Sequence, residues 1–330
     1  MEICKNKKEF LDFVTYYLSD GVGTLPCAEA KWTINEEPET EYEKKTITAT
    51  ILKDKPNEIR YAIPYNFTIT RQSVLNVSCA TAVINWRLGE KKSPCYLDFD
   101  LVKKTVSVKM TAFVEREQLD GGIIAGHVRR LEDVFDDSCL EFHYLLNKNC
   151  NPQVFVENLA DMLELTYSKI GQERMNDLFI THQNFREAYE EMGLTASHQF
   201  ENIHVKMPIK WGDGNMNVLV RLGLRERDEV IQIDNVFPRL LSPERCLDGA
   251  MCVAYLNSRV EYGSFDFDIY QGKFVYRMIV DVRRMKLSKE TATQIWNMVS
   301  ETLSKYRYAV NEFVKGKLKV EELKREINEA

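Results

Sequence analysis

Apolar and polar residues alternate through "LDFDLVKKTVSVKMTAFV" (97–114), and they alternate again through "FDFDIYQGKFVYRMIVDV" (265–282). Alternation on both sides of a short polar link predicts an antiparallel hairpin in each stretch. Leu97, Phe99, Leu101, Val106, Val108 and Met110 then share one face, as do Phe265, Phe267, Ile269, Phe274, Tyr276 and Met278. The period changes after each hairpin. Val128, Leu131, Phe135, Phe142 and Leu145, and 168 positions later Trp296, Val299, Leu303, Val310 and Phe313, are spaced by three, four and seven. That spacing predicts a long amphipathic helix, opened by Asp120 in one case and Ser288 in the other.

The correspondence runs upstream at an offset of 172, the difference being about four extra residues in "GEKKSP" (89–94). Asn85-x-Arg87 matches Asn257-x-Arg259, Ala82 matches Ala254, and Leu75 matches Leu247. Thr70 and Ser242 are the expected caps of a second helix, with Pro243 at its first turn. "TITATILKDKPNEIRYAI" aligns with "VLVRLGLRERDEVIQIDN", and Phe13 and Tyr17 align with Phe185 and Tyr189. One gap over so long a match reads as a tandem duplication.

The expected elements are helices at 6–19, 71–89 and 120–147 and strands at 29–35, 44–53, 58–67, 95–102 and 105–114. In the second copy they are helices at 181–192, 243–260 and 288–315 and strands at 200–208, 216–225, 229–236, 264–270 and 273–283. The fold class is α+β: two tandem repeats, each an antiparallel sheet packed against helices. The expected domains are repeat 1 at 1–150, a connecting helix within 151–172 and repeat 2 at 173–330, with "KVEELKREINEA" (319–330) as a shorter counterpart of the connecting helix.

Composition narrows the function. The 330 residues carry a net charge of −6, and neither half has a basic surplus. Nucleic acid is therefore a poor partner. No apolar run is long enough to span a bilayer, and "MEICKNKKEFLDF" lacks the apolar core of a signal peptide, so a cytoplasmic protein is expected. The eight cysteines are scattered without a CxxC, which predicts reduced thiols rather than a disulfide framework or a zinc site.

Candidate chemistry centres on two carboxylate pairs, Asp98 with Asp100 and Asp266 with Asp268. Alternate strand residues share a face, so each pair could hold a hard cation or do acid–base work. A two-residue turn at Lys103-Lys104 or Gln271-Gly272 offers a simpler account, setting Asp98 opposite Lys109, Asp266 opposite Arg277 and Asp268 opposite Val275. The pairs then act as cross-strand scaffold. Asn85 and Asn257 are read as structural residues near helix ends, and Arg87 and Arg259 as partners of helix-end carbonyls or of a carboxylate.

The five histidines (His127, His143, His182, His198, His204) form no metal motif, and no phosphate loop or nucleophile elbow is present. Gly121-Gly122 could receive an anion at a helix start, but Lys289-Glu290 stands there in the second copy. The sequence from Gly212 to Asn215 is a turn signal. Trp86 falls on an apolar helical stripe. "NEEPETEYE" (35–43) reads as a solvated acidic loop or, less simply, a docking segment for a basic partner.

One resemblance emerges from these residues. Ala254-x-x-Asn257, Gly263-x-Phe265-x-x-Asp268, Gly272-Lys273-Phe274-Val275-Tyr276-Arg277 and Leu287-Ser288 resemble the YbjN-type domain, whose element order is that of the type III secretion chaperone fold. The first copy keeps Ala82-x-x-Asn85, Asp100, Val106 and Leu119, but has Lys104 for the turn glycine, Ser107-Val108 for Val-Tyr and Lys109 for the arginine. The resemblance implies a bacterial cytoplasmic protein that binds another protein, without a catalytic centre, cofactor or metal. It also implies that the two repeats could imitate a chaperone dimer within one chain. The expectation is thus a non-enzymatic protein-binding or chaperone-like protein, with no nucleic acid or membrane partner. The alternative is a small-molecule-binding sensor or regulatory domain pair. An enzyme using the Asp pairs and a two-repeat DNA-binding saddle rank below these.

Overall fold

The computed structural model describes the chain except residues 24, 35–44, 71–72, 149–171, 200–201, 212–213, 226–229, 284 and 330. Twelve strands and seven α-helices are present among the described residues. The first half contains β1 (Glu2–Cys4), α1 (Lys7–Asp20), β2 (Cys27–Thr33), β3 (Thr46–Leu52), β4 (Lys55–Pro64), α2 (Val74–Glu90), β5 (Cys95–Asp100), β6 (Thr105–Phe113) and α3 (Gly121–Lys148). The second contains α4 (Gln172–Glu191), β7 (Thr195–Gln199), β8 (Asn202–Trp211), β9 (Gly214–Arg225), β10 (Val230–Leu240), α5 (Cys246–Asn257), β11 (Ser264–Asp268), β12 (Lys273–Asp281), α6 (Lys289–Val314) and α7 (Val320–Glu329). The sheet orders are β1-β2-β3-β4-β6-β5 and β7-β8-β9-β10-β12-β11.

All neighbouring strands run antiparallel except β1, which lies parallel to β2. The edge strands β1 and β7 were not among the expected elements. They are short, and neither shows an extended alternation. The expected connecting helix within 151–171 lies outside the described residues.

Local chemistry fixes the helix starts. Asp120 Oδ1 accepts from Ile123 N at 2.9 Å, and Ser288 Oγ accepts from Thr291 N at 3.2 Å, so the long helices begin at side-chain caps. The second helices start later than expected. Ser242 and Pro243 open a 3-10 turn over Pro243–Arg245, and α5 proper begins at Cys246. In the first half Thr70 Oγ1 accepts from Ser73 N at 3.3 Å and α2 begins at Val74.

The hairpins differ from the expected register by two residues. Each loop has four residues, so Asp100 faces Thr105 and Asp268 faces Lys273. Asp98 lies opposite Ser107, Asp266 opposite Val275 and Arg277 opposite Ser264. The cause is the second carboxylate of each pair. Asp100 Oδ1 accepts from the backbone N–H groups of Val102 and Lys103, both at 2.9 Å, and Asp268 Oδ1 from those of Tyr270 at 2.9 Å and Gln271 at 3.1 Å. Such Asx bonding builds a wider turn, which closes on a left-handed residue, Lys104 (φ 54°) or Gly272 (φ 69°). At Gly272 a Cβ would stand 2.2 Å from the Leu241 carbonyl oxygen, so glycine is required there. A slip of two preserves the faces. Leu97, Phe99, Phe265 and Phe267 remain inside, each fully buried.

Asn85 and Asn257 serve each sheet in the same way. Asn85 Nδ2 donates to Leu97 O at 2.8 Å and its Oδ1 accepts from Leu97 N at 2.7 Å. Asn257 makes the same pair with Phe265, at 2.9 and 2.7 Å. Each amide thus completes an edge-strand residue from a helix end, on either side of the length difference at 89–94.

Each half has its own apolar core, but the cores share members. Cys79, Ala82 and Phe113 of the first half belong to the second half's core, and Ala254 and Met285 belong to the first half's. Helix α2 packs on β11 as well as β5, and α5 packs on β5 as well as β11. Because each buried asparagine satisfies two main-chain groups, Asn257→Ala or Asn85→Ala should cost about 2–4 kcal/mol in urea unfolding. A loss under about 0.5 kcal/mol would show that the edge strand does not depend on the amide.

Candidate functional site

The carboxylate pairs lie on buried strands beside the seam between the halves. Asp266 Oδ2 receives Arg277 Nη1 at 2.6 Å and its Oδ1 receives Ser264 Oγ at 2.8 Å. Arg277 Nε donates to Asp234 Oδ1 at 2.9 Å. The first half is simpler, with Lys109 Nζ 2.5 Å from Asp98 Oδ2. The acid–base contacts expected from the sequence therefore form, though diagonally across the strands rather than directly opposite. Burial pushes the Asp266 carboxyl up to about 6 against the pull of Arg277, and it also raises Asp98. The Arg277 guanidinium is held above its ordinary value, Asp266 and Asp234 outweighing burial. Asp100 and Asp268 are occupied by their loops. No group of three or more His, Cys, Asp or Glu side chains that could hold a metal ion occurs among the described residues.

Arg277 also reaches the first half. Its Cζ lies 5.6 Å from the Trp86 ring centroid, and a Cβ on Gly89 would stand 1.4 Å from its Nη1. Trp86, expected in the core of its own half, is half-buried against the other. The crevice beside it, about 30 Å³ between Asn85, Cys95, Tyr96, Asp266 and Arg277, has room for roughly one or two waters.

A second ionic contact crosses the seam at Asp281, which is 2 % exposed. Its Oδ2 lies 3.1 Å from Arg130 Nε and 3.5 Å from Arg283 Nη2, and its Oδ1 accepts from Arg283 N at 3.0 Å. Burial alone would raise this carboxyl, but Arg130, His127 and Arg283 hold it below the usual range. His127 itself is buried, edge-on to Tyr61, and burial pushes it down to about 4. Arg60 Nη2 donates to Tyr262 OH at 2.8 Å and pairs with Glu261 at 3.3 Å, and Lys55 Nζ also donates to Tyr262 OH.

Where Gln118 meets Lys286, the two halves touch through matching positions, 168 residues apart. Gln118 Nε2 donates to Lys286 O and Lys286 N donates to Gln118 Oε1, both at 3.0 Å. Beside this contact Glu115 Oε1 accepts from Ser288 N and Thr291 Oγ1, both at 2.7 Å. An open cleft of about 510 Å³ lies here, lined by Asn57, Glu115, Glu117, Asn184, Lys286 and Glu290 among others. It is the concave, polar feature that a small-molecule reading requires.

Several candidates leave the picture. Arg87 Nη1 pairs with the Glu90 carboxylate at 3.0 Å on the surface, and Arg259 lies over the Tyr255 ring. Gly121-Gly122 sits behind the Asp120 cap. The side chains of His143, His182 and His198, the segment 35–43, Cys150 and the Gly212-Asp213 turn lie outside the description. The other seven cysteines are free thiols, five of them buried. No helix among the described residues is long and apolar enough to cross a membrane.

Asp281, Asp234 and Arg130 were not singled out from the sequence, and His127 was considered only as a metal ligand. The available signal was the mismatch between copies, which puts Phe113, Ala62, Met298 and Ile295 at the matching positions. No protein-family model matches the chain, and no curated protein matches its sequence.

His127 gives the seam a pH signature. Folded, it stays neutral down to about 4, whereas an unfolded histidine takes a proton near 6.5. The unfolded state binds more protons between these values, so this group removes stability as pH falls. Asp266 acts oppositely, since its folded form holds a proton to about 6 and its contribution is lost as pH rises. The stability of His127→Leu relative to wild type should therefore improve from pH 6.5 to 4, by ~3 kcal/mol at most. Urea titrations at each pH measure this, and a difference independent of pH would contradict the neutral buried imidazole.

Proposed function

We propose that the chain is a non-enzymatic, protein-binding protein of chaperone-like character, built as two fused repeats that imitate a dimer. The matching order of β2-β3-β4-β6-β5 and β8-β9-β10-β12-β11, the exchange of α2 and α5 and the meeting of Gln118 with Lys286 support the dimer-like reading. Equivalent residues meet themselves only at a two-fold axis. The carboxylate pairs bind their own turns and bases, which supports a scaffold role over catalysis. The free thiols support a reducing, cytoplasmic setting.

The observation that carries the binding role is a set of large apolar side chains standing in water at one end of the second half. Leu240, Leu247 and Tyr270 are 62, 52 and 61 % exposed. Leu241 N donates to Gly272 O at 2.7 Å, and the Leu241 side chain lies beside Gly249, so the three residues leave the surface from neighbouring segments. Grouped exposed apolar residues suit capture of an apolar or amphipathic protein segment. A second reading is favoured by the cleft at Glu115, Glu117 and Glu290, whose acids suit a small cationic ligand.

A photo-crosslinker placed at Tyr270 should trap a reproducible protein partner from native extract. Leu240→Glu with Leu247→Glu should reduce that yield at least tenfold without lowering the melting temperature. Equal trapping by both proteins would remove this surface from the role. Failure to trap any protein, together with thermal stabilisation by a cationic small molecule, would favour the second reading.

A further inference from the structure

We propose that the seam is a heterotypic lock: each half presents a surface that fits the other half of this chain and rejects a second copy of itself. The inference rests on treating the halves as equivalent repeats and does not depend on what the protein binds.

In a symmetric dimer every contact off the axis occurs twice. Here the two versions of each contact differ. Asp281 meets Arg130 and lies beside His127, while the matching position across the pseudo-axis holds Phe113, which is buried in the core that also contains Ile295 and Met298. One version is ionic and its mate is apolar. Arg277 enters the space left by Gly89 and stacks on Trp86, whereas Lys109 would find Ser258 at the position of Trp86. Gly89 lies where the second half lacks about four residues. Glu115 caps the start of α6 through Ser288 and Thr291, whereas Arg283 occupies its matching position in the second half.

Pairing like with like breaks each of these contacts. Two second halves would bury Asp281 against Ile295 and Met298 and would place Arg283 at the electropositive start of α6. Two first halves would set Arg130 and His127 against Phe113 and bring Glu115 to Asp120. A buried charge that loses its partner across the interface to an apolar side chain, or two like charges brought together, disfavours the wrong partner more than it favours the right one. The fold thereby selects the unlike pair, which a single chain always contains.

The test uses the full chain carrying a specific protease sequence between residues 160 and 161. The folded protein is cut, unfolded in urea and refolded, and native mass spectrometry counts the pairs. Without selection the halves reassort as 1:2:1 for first–first, unlike and second–second pairs, so that unlike and like pairs are equal in number. The lock predicts that unlike pairs outnumber like pairs at least tenfold. His127→Ile with Arg130→Met, which gives the first half the second half's residues, should lower the excess at least tenfold. Asp281→Asn, which keeps its shape, should lower it in the same direction and serves where the double variant does not fold. A statistical mixture of wild-type halves would overturn the lock while leaving their equivalence intact. Halves that do not reassemble, or an excess unchanged by both variants, would also overturn it.

Discussion

Through residues 77–85 and 252–257 helices α2 and α5 have no face for water, and the rest of the molecule is organised around that constraint. Every residue from Val77 to Asn85 is buried, as is every residue from Cys252 to Asn257. A helix buried all round must be enclosed on all sides. The hairpin and long helix of its own half cover only part of that surface. The remaining cover comes from the opposite half, through β11 for α2 and β5 for α5. Ala82 and Ala254 make the close approach possible, each counted in the other half's core. The exchange also encloses the outer faces of the β5–β6 and β11–β12 hairpins, which in an isolated α+β layer would face solvent.

That enclosure explains why charged residues occur so deep in the protein. Asp98, Asp266 and Lys109 begin as ordinary outward residues on alternating strands and become buried or half-buried because a second half lies over them. A buried ion pair is a weak source of net stability, but losing one partner is expensive. Arg277 shows how the exposure is offset. Two carboxylates, an aromatic face and a glycine at a helix end surround it, so its charge is matched on each side. The lysine in the first half has one carboxylate and remains partly in water.

Much of the architecture was legible because alternation and helical spacing repeat at offsets of 168 and 172, which differ by the single length change at 89–94. Phe265 and Phe267 face inward, and the caps at Asp120 and Ser288 form. The hairpin register was misread because the strand pattern alone does not count loop residues. The second aspartate of each pair had two possible tasks, and only the turn geometry distinguishes them. The asparagines looked like helix terminators, whereas their amides in fact extend a sheet twelve or eight residues further on. Long-range charge contacts such as Arg130 with Asp281 were invisible, since nothing local links a helix in one half to a strand in the other. They were nonetheless marked in the sequence, at positions where the copies disagree in polarity.

The contact between Gln118 and Lys286 has a further consequence. In a homodimer the residue on the axis meets its own copy, so only a side chain that tolerates itself can stand there, and any replacement strikes twice. Covalent linkage of the halves lifts that restriction. The glutamine supplies both a donor and an acceptor from its side chain, and the lysine answers with its main chain alone. The lysine side chain is released from the contact and stands at the rim of the acidic cleft. A symmetric homodimer could not place a base there on one side only, so this rim is a place where a single chain can carry chemistry closed to a dimer.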